Sequence, residues 1–340
     1  MRFAVPLAAA GCAAFTAPPA PSQIRISEIR IDEPGPGLDP NEYVELAGPP
    51  GASLDGLTYL VLGDTTAAPL GSGVIESVIK LSGNVIPPSG FFVVAEPSFT
   101  LGTANLTKVL EFEDNDNVSH LLVSGFSGAD EDDLDTDDDG VLDVTPWTSV
   151  IDRVAAIRQN NPPSSTEWHY GPPVVGPVGT SAPAHVFRNG ASAVLSSWNI
   201  GATPLGVTDS PGAPNPAPTV SIAVGGTQRL ALDAGPGFAG SLYVIVTNFT
   251  GTAPGLFVPP ILLPLNFDTL VSLSLESANG PVWSNSLGFL DANGRAFAAL
   301  NVPALPSDAM GLSLQSAAVL LGPLFVPLLA SNPVPLDLVL

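Results

Sequence analysis

The stretch QIRISEIRI, residues 23–31, decides the fold class, because apolar and polar residues alternate along it. A strand with one buried face has this period of two, whereas an amphipathic helix has a period near 3.6. Short segments of the same kind recur along the chain and are separated by turns that contain Gly or Pro. The sequence therefore predicts an all-β chain built from antiparallel sheets.

The other predicted strands follow the same pattern. In the first two thirds of the chain they are placed at residues 42–46, 56–62, 74–81, 90–95, 108–112, 121–126 and 150–157. In the last third they are placed at residues 220–224, 229–232, 241–247, 270–275, 311–321 and 336–340. An Asn-Gly turn within residues 291–294 predicts a hairpin of residues 287–290 with residues 296–300.

The composition narrows the classes of function. The chain has 340 residues, which is enough for about two domains. Its formal net charge of -22 argues against binding to nucleic acid or to an anionic membrane surface, since both need a basic face. The 37 Pro and 34 Gly residues accompany 45% hydrophobic residues, a combination that favours short packed strands over disorder.

The N-terminal segment predicts export. Residues 1–22 contain one Arg, a short apolar run and a Pro-rich spacer, as in a secretory signal peptide, and the run is too short to span a bilayer. Cys12, the only cysteine, lies in a segment that loosely resembles a bacterial lipobox. Ordinary cleavage of the signal peptide and lipid anchoring at Cys12 both stay open. We therefore expect a secreted or cell-surface protein, and a periplasmic or lipid-anchored form is the alternative.

A Pro-rich stretch divides the rest of the chain. Residues 203–218, TPLGVTDSPGAPNPAP, have the composition of a stiff linker that should hold two domains apart. We therefore expect a first β-sandwich in residues 23–202 and a second antiparallel β-sandwich in residues 219–340. No transmembrane span is expected, because the apolar residues 317–330 are interrupted by Pro323 and Pro327.

The strongest site signal is the acidic stretch GADEDDLDTDDDGVLD, residues 128–143, which contains no Lys or Arg. Asp at every second position followed by Gly140 repeats the first half of a calcium loop, in which Gly permits the sharp turn. The predicted calcium ligands are the side chains of Asp133, Asp135, Asp137, Asp139 and Asp143 and the carbonyl of Val141.

The stretch differs from an EF-hand, because Pro146 stands where a bidentate Glu is required and no amphipathic helix flanks the loop. The missing ligand could come from Glu131, Asp132 or Asp133 upstream, or from Asp152 downstream. The alternative interpretation is a solvated acidic run without any ion.

The opening of the first domain resembles the lamin-tail-type domain. The resemblance is carried by Ile26, Glu28 and Ile29, then by NEYVEL at residues 41–46, and then by residues 54–62. The stretches DNVSHLLVSGFSG and TPWTSVIDRVA, on either side of the acidic stretch, resemble a form of this domain found in exported bacterial proteins. The resemblance covers roughly residues 23–216 and implies an immunoglobulin-like β-sandwich with a binding or structural role and no catalytic residues. Residues 219–340 more weakly resemble C-terminal β-domains of secreted planctomycete proteins, whose role is undefined.

Two classes of function stay open. The first is a non-catalytic exported module with a structural, adhesive or binding role, whose partners are calcium and a cell-surface protein or polysaccharide. The second is a calcium-dependent hydrolase or nuclease, for which His120 is the only histidine near the loop in sequence. A carbohydrate-binding module is a further alternative, since Trp147, Trp168, Trp198 and Trp283 could form a platform, although Trp more often packs in a core.

Overall fold

A computed structural model describes residues 24–35, 39–64, 71–110, 112–113, 116–159, 168–191 and 193–340. The predicted signal peptide and Cys12 lie outside these residues. The regular structure is mostly β, with 42% of residues in strands and 6% in helices, as the alternating sequence predicts.

The strands up to residue 200 form the first part of the molecule. They are β1 (Arg25–Arg30), β2 (Tyr43–Ala47), β3 (Leu57–Asp64), β4 (Ser72–Lys80), β5 (Phe91–Ala95), β6 (Leu106–Thr107), β7 (Val118–Ser124), β8 (Ser149–Ala156), β9 (Val174–Val175), β10 (His185–Asn189) and β11 (Leu195–Ile200).

The strands after residue 218 form the second part, together with one α-helix and three short 3-10 helices at Pro236–Phe238, Ser307–Ala309 and Pro323–Phe325. They are β12 (Thr219–Ser221), β13 (Gly226–Asp233), β14 (Leu242–Asn248), β15 (Leu256–Val258), β16 (Ile261–Leu263), α1 (Thr269–Glu276), β17 (Trp283–Ser284), β18 (Leu287–Phe289), β19 (Arg295–Val302), β20 (Ser313–Leu321), β21 (Pro327–Ala330) and β22 (Val334–Val339).

A nine-stranded sheet runs through both parts of the molecule in the order β17-β19-β13-β11-β10-β1-β2-β5-β6. A five-stranded sheet, β4-β3-β7-β8-β9, covers one part of it, and a six-stranded sheet, β12-β22-β20-β14-β18 with β21 beside β20, covers another. A small β15-β16 hairpin forms a separate two-stranded sheet, and β16 packs against β14 and β20. The molecule therefore consists of two sandwiches that share one long sheet.

Strand β11 belongs to both sandwiches. Trp198 packs in the first core with Ile26, Val44 and Leu122, whereas Leu195 packs in the second core with Leu232. Because successive side chains of a strand point to opposite faces, residues three apart face opposite sides of the sheet. The five-stranded and six-stranded sheets therefore pack on opposite faces of the nine-stranded sheet.

The prediction that residues 203–218 hold the two domains apart is wrong. Strand β11 pairs directly with β13, with Leu195 opposite Leu232 and Trp198 opposite Arg229. The Pro-rich stretch instead lies along the face of β1, β2 and β10 that carries Glu28 and Glu45, to which it is hydrogen-bonded. Its prolines favour an extended chain. Here that extended chain covers a face of the sheet and does not separate two domains.

Three local predictions are also wrong. Residues 270–275 lie in the helix α1, not in a strand, and Asp268 caps that helix by accepting hydrogen bonds from Leu270 N and Val271 N. The Asn-Gly turn is present, but β18 pairs with β14 while β19 pairs with β13 and β17, so the flanking strands belong to different sheets. Residues 108–110 and 112 are not in a strand, and the short β6 precedes them.

Within the described ranges, the longest helix is α1 with 8 residues, and no helix is long and apolar enough to cross a membrane.

Candidate metal centre

The acidic loop joins β7 to β8 and is anchored to the first sandwich by one buried apolar side chain and one partly buried one. Leu134 is only 2% exposed and packs in a cluster with Leu60, Ile75 and Leu121. Its backbone continues this attachment, because Leu134 N donates to Gly73 O at 3.1 Å. A purely solvated acidic run would have no such anchor, so the loop is a packed part of the domain.

Asp135, the first residue of the predicted calcium loop, is fully buried. Its Oδ1 accepts a hydrogen bond from Asp139 N at 3.2 Å, and its Oδ2 accepts from Gly140 N at 2.9 Å. The hydroxyl of Tyr170 also donates to Oδ2, at 2.7 Å. The carboxylate is thus held in one orientation at the base of the loop.

Three of the predicted ligands come together. Asp135, Asp137 and Asp143 each offer one carboxylate oxygen, and these oxygens all lie within 4.8 Å of one another. Calcium–oxygen distances are about 2.3–2.6 Å, so two ligands of one ion lie at most about 5 Å apart. The three carboxylates therefore fit around a single cation.

The electrostatics of the loop favour a cation. The pKa of Asp137 is raised, first by the charge of Asp139, then by slight desolvation, and then by the charges of Asp143 and Asp135. Repulsion of this kind costs folding free energy, and a bound cation would offset it.

The turn that brings the carboxylates together depends on Gly140, whose φ is +85°. A Cβ at this position would lie 2.6 Å from Cε3 of Trp168. The same indole donates through Nε1 to Asp138 O at 2.9 Å, and Asp138 Oδ1 accepts from Ser72 N at 2.7 Å. The loop is therefore clamped between β4 and the segment that precedes β9.

The remaining predicted ligands have other contacts. Asp139 Oδ1 accepts a hydrogen bond from Val141 N, and Asp133 Oδ1 accepts one from Asp135 N. Neither side chain belongs to the group of three carboxylates. The side chain of Val141 is 65% exposed, as expected if only its carbonyl were used.

Asp152 is not available as the missing ligand. It is buried, pairs with the guanidinium of Arg188 and accepts a hydrogen bond from Ile26 N at 2.9 Å. Of the upstream candidates, Asp132 accepts from Ala129 N at 2.7 Å, and Glu131 has a φ of +64°.

Sequence reasoning missed Asp138, Trp168 and Tyr170, which fix the shape of the loop. The two aromatic residues follow the loop by some thirty positions and carry no motif. Their role is visible only from the hydrogen bonds that Trp168 donates to Asp138 O and that Tyr170 donates to Asp135.

Two of the three histidines are fully buried. His120 is fully buried in the first core, its Nδ1 lies 2.7 Å from the Tyr59 hydroxyl, and burial lowers its pKa to about 3. His185 is also fully buried and bonds through Nε2 to Glu28 Oε1 at 2.8 Å. The pKa of His169 is lowered by partial burial.

A second acidic group, Glu28, His185 and Asp209, lies under the Pro-rich stretch. Glu28 Oε1 accepts hydrogen bonds from Tyr43 Oη at 2.5 Å and from Ser210 N at 3.0 Å. Asp209 forms a buried ion pair with Arg30 at 2.5 Å. Protein donors already satisfy these carboxylates, so this group fastens the stretch to the sheet.

A third group consists of Asp64, Glu76 and Glu113 and is partly exposed. Burial, followed by the charges of Glu113, Asp116 and Asp64, raises the pKa of Glu76 to about 9. The repulsion among these carboxylates is of the same kind as the repulsion at Asp137.

Comparison with known proteins gives no family assignment. No protein-family model matches the chain, and no curated protein matches it. The resemblance to the lamin-tail-type domain stays a prediction.

Proposed function

We propose that the chain is a non-catalytic, exported β-sandwich module that binds calcium in the loop of residues 135–143. The observation that carries the proposal is the convergence of the Asp135, Asp137 and Asp143 carboxylates within 4.8 Å. In this proposal calcium neutralises the loop and fixes it against the first sandwich. The module then serves a structural, adhesive or binding role at the cell surface or outside the cell.

The anchoring of the loop supports this role for calcium. Asp135 is already oriented by two backbone N–H groups and by Tyr170, so ion binding would not have to order this ligand. The exposed Asp137 and Asp143 would complete the protein side of the shell, and water would fill further positions.

The alternatives have less support from the geometry. A calcium-dependent hydrolase or nuclease would need a base beside the ion, but His120 is buried in the core. A carbohydrate platform would need exposed Trp side chains, but Trp198 and Trp283 are 0% and 5% exposed and pack inside the two sandwiches.

The proposal is tested by thermal unfolding of the chain from residue 21 onward, in excess EDTA and in millimolar calcium. We expect calcium to raise the melting temperature of the wild type, because a ligand that binds only the native state stabilises it by mass action. Asp137→Ala removes one exposed ligand and should abolish most of the rise. Asp308→Ala, which removes an equal charge from an exposed site in the second sandwich, should leave the rise unchanged.

A rise of the same size in all three proteins would indicate an unspecific effect of the salt and would overturn the site. If the melting temperature of the wild type does not rise in up to 10 mM calcium, the loop is only an acidic surface segment. The limit of 10 mM is chosen because weak extracellular calcium modules bind at about 0.1–1 mM.

A further inference from the structure

Four arginines gather around one small cavity, although the whole chain carries only 10 Lys and Arg residues and a net charge of -22. The cavity has a volume of about 50 Å³ and lies where β8 of the first sandwich meets β13 and β19 of the second. Its charged lining consists of Arg25, Arg153, Arg188 and Arg295 with Asp152, Asp233 and Asp291. The lining therefore has one more positive than negative charge.

Three of the arginines share two carboxylates. Arg25 and Arg295 both donate to the same oxygen of Asp233, at 2.7 and 2.6 Å, and both also donate to the carbonyl of Ile151. Arg188 pairs with Asp152 on the other side. The guanidinium groups of Arg25 and Arg295 are thus held next to each other by acceptors that they have in common.

Arg153 makes no ion pair with any described residue. Its Nε donates to the carbonyl of Pro172 at 3.0 Å, and among the described residues no carboxylate oxygen lies within 4.0 Å of its guanidinium. Burial and then the charge of Arg295 lower its pKa, and the charges of Asp291 and Asp152 only partly oppose this shift. The third acid, Asp291, is exposed and accepts hydrogen bonds from Asn293 N and Arg295 N.

Such an arrangement is unfavourable without an anion. A partly buried guanidinium loses hydration, and a neighbouring positive charge raises the cost further. The planar fork of N–H groups on an arginine matches the oxygens of sulfate and phosphate. A cavity of about 50 Å³ exceeds the space of about 10–15 Å³ that a single water molecule needs.

We propose that this cavity binds one small tetrahedral oxyanion, such as sulfate or phosphate, through the guanidinium groups of Arg153 and Arg295. The anion supplies the negative charge that Arg153 lacks. Because Arg153 belongs to β8 and Arg295 to β19, the bound anion links the five-stranded sheet to the second sandwich. The proposal is independent of the calcium loop.

The test is isothermal titration calorimetry of the chain from residue 21 onward with sodium sulfate, in EDTA and at constant ionic strength set with sodium chloride. We expect saturable binding at a single site in the wild type. Arg153→Gln removes the unpaired charge and should raise the dissociation constant about tenfold or more, as expected for the loss of a charge-assisted contact. Lys80→Gln removes an equal charge from an exposed position in β4 and should leave the constant unchanged.

Two further arms sharpen the result. Arg153→Lys keeps the charge but not the fork, and it should bind more weakly than the wild type and more tightly than Arg153→Gln. Titration with methyl sulfate distinguishes two sources of the anion. Methyl sulfate should bind as tightly as inorganic sulfate if the site takes the end group of a small ester, and more weakly if the site takes the free ion. Absence of saturable heat in the wild type, or equal constants for the wild type and Arg153→Gln, would overturn the proposal.

Discussion

Glu45 lies in β2 directly opposite Glu28 in β1, and both side chains are fully buried beneath the Pro-rich stretch. One oxygen of Glu45 accepts a hydrogen bond from Gly212 N at 2.6 Å, and the other is buried and has no hydrogen-bond partner among the described residues. Burial and then the charge of Glu28 raise the pKa of Glu45 to about 9. Glu45 is therefore protonated in the native state at neutral pH.

This protonation predicts a pH dependence of stability. A pKa raised from 4.5 to about 9 favours folding at low pH, and this contribution is lost as the pH rises from 4.5 through about 9. The loss has a maximum slope of about 1.4 kcal/mol per pH unit. Glu45→Gln mimics the protonated form, so its free energy of unfolding should fall less steeply between pH 6 and pH 9 in urea titrations.

The control for this prediction is Glu276→Gln, which changes an exposed carboxylate at the end of α1. Its stability should follow the wild-type curve over the same range. Parallel curves for the wild type and Glu45→Gln would show that Glu45 is ionised in the native protein.

At the scale of elements, the acidic loop keeps its place through Leu134. Leu134→Ala should lower the free energy of unfolding by about 2–4 kcal/mol, because it removes buried methyl groups and leaves a cavity. It should also weaken calcium binding, since Asp135 follows Leu134 directly. Val141→Ala is the matched change, because that side chain is 65% exposed and its carbonyl is retained. Equal losses of stability for both variants, measured by urea unfolding, would contradict the anchoring role.

The elements also show how far the sequence could predict the structure. The alternating pattern correctly predicted β1, β2, β3 and β5 to within about two residues, because one or both faces of these strands are buried. It failed at α1, where Val271, Leu273 and Leu275 alternate like a strand but Asp268 caps a helix. It also failed at the Asn-Gly turn, because a local turn signal does not show which sheet each flanking strand joins.

The sequence also predicted one part of the candidate site and missed another part. The spacing of the Asp residues predicted that Asp135, Asp137 and Asp143 come together, because these residues lie within one short loop. The clamp formed by Ser72, Trp168 and Tyr170 comes from distant segments, so no local pattern predicts it. The four arginines of the cavity come from four different strands, so the cavity is visible only in three dimensions.

At the scale of the whole molecule, the shared sheet predicts one cooperative unfolding transition. Leu122→Ala in the first core and Leu320→Ala in the second core should each lower the midpoint of the same calorimetric peak, since both side chains are fully buried. The calorimetric enthalpy should equal the van't Hoff enthalpy. Two separate peaks, of which each variant moves only one, would mean that the sandwiches unfold independently.

The pairing of β11 with β13 also determines how the molecule would carry mechanical load. A pull that separates the two sandwiches acts on the backbone hydrogen bonds between these strands, whose register runs from Leu195 opposite Leu232 to Trp198 opposite Arg229. The Pro-rich stretch cannot lengthen first, because Asp209 and Ser210 fasten it to β1. The β11–β13 pairing in the shared sheet therefore carries the tension, and the connection between the sandwiches is rigid instead of elastic.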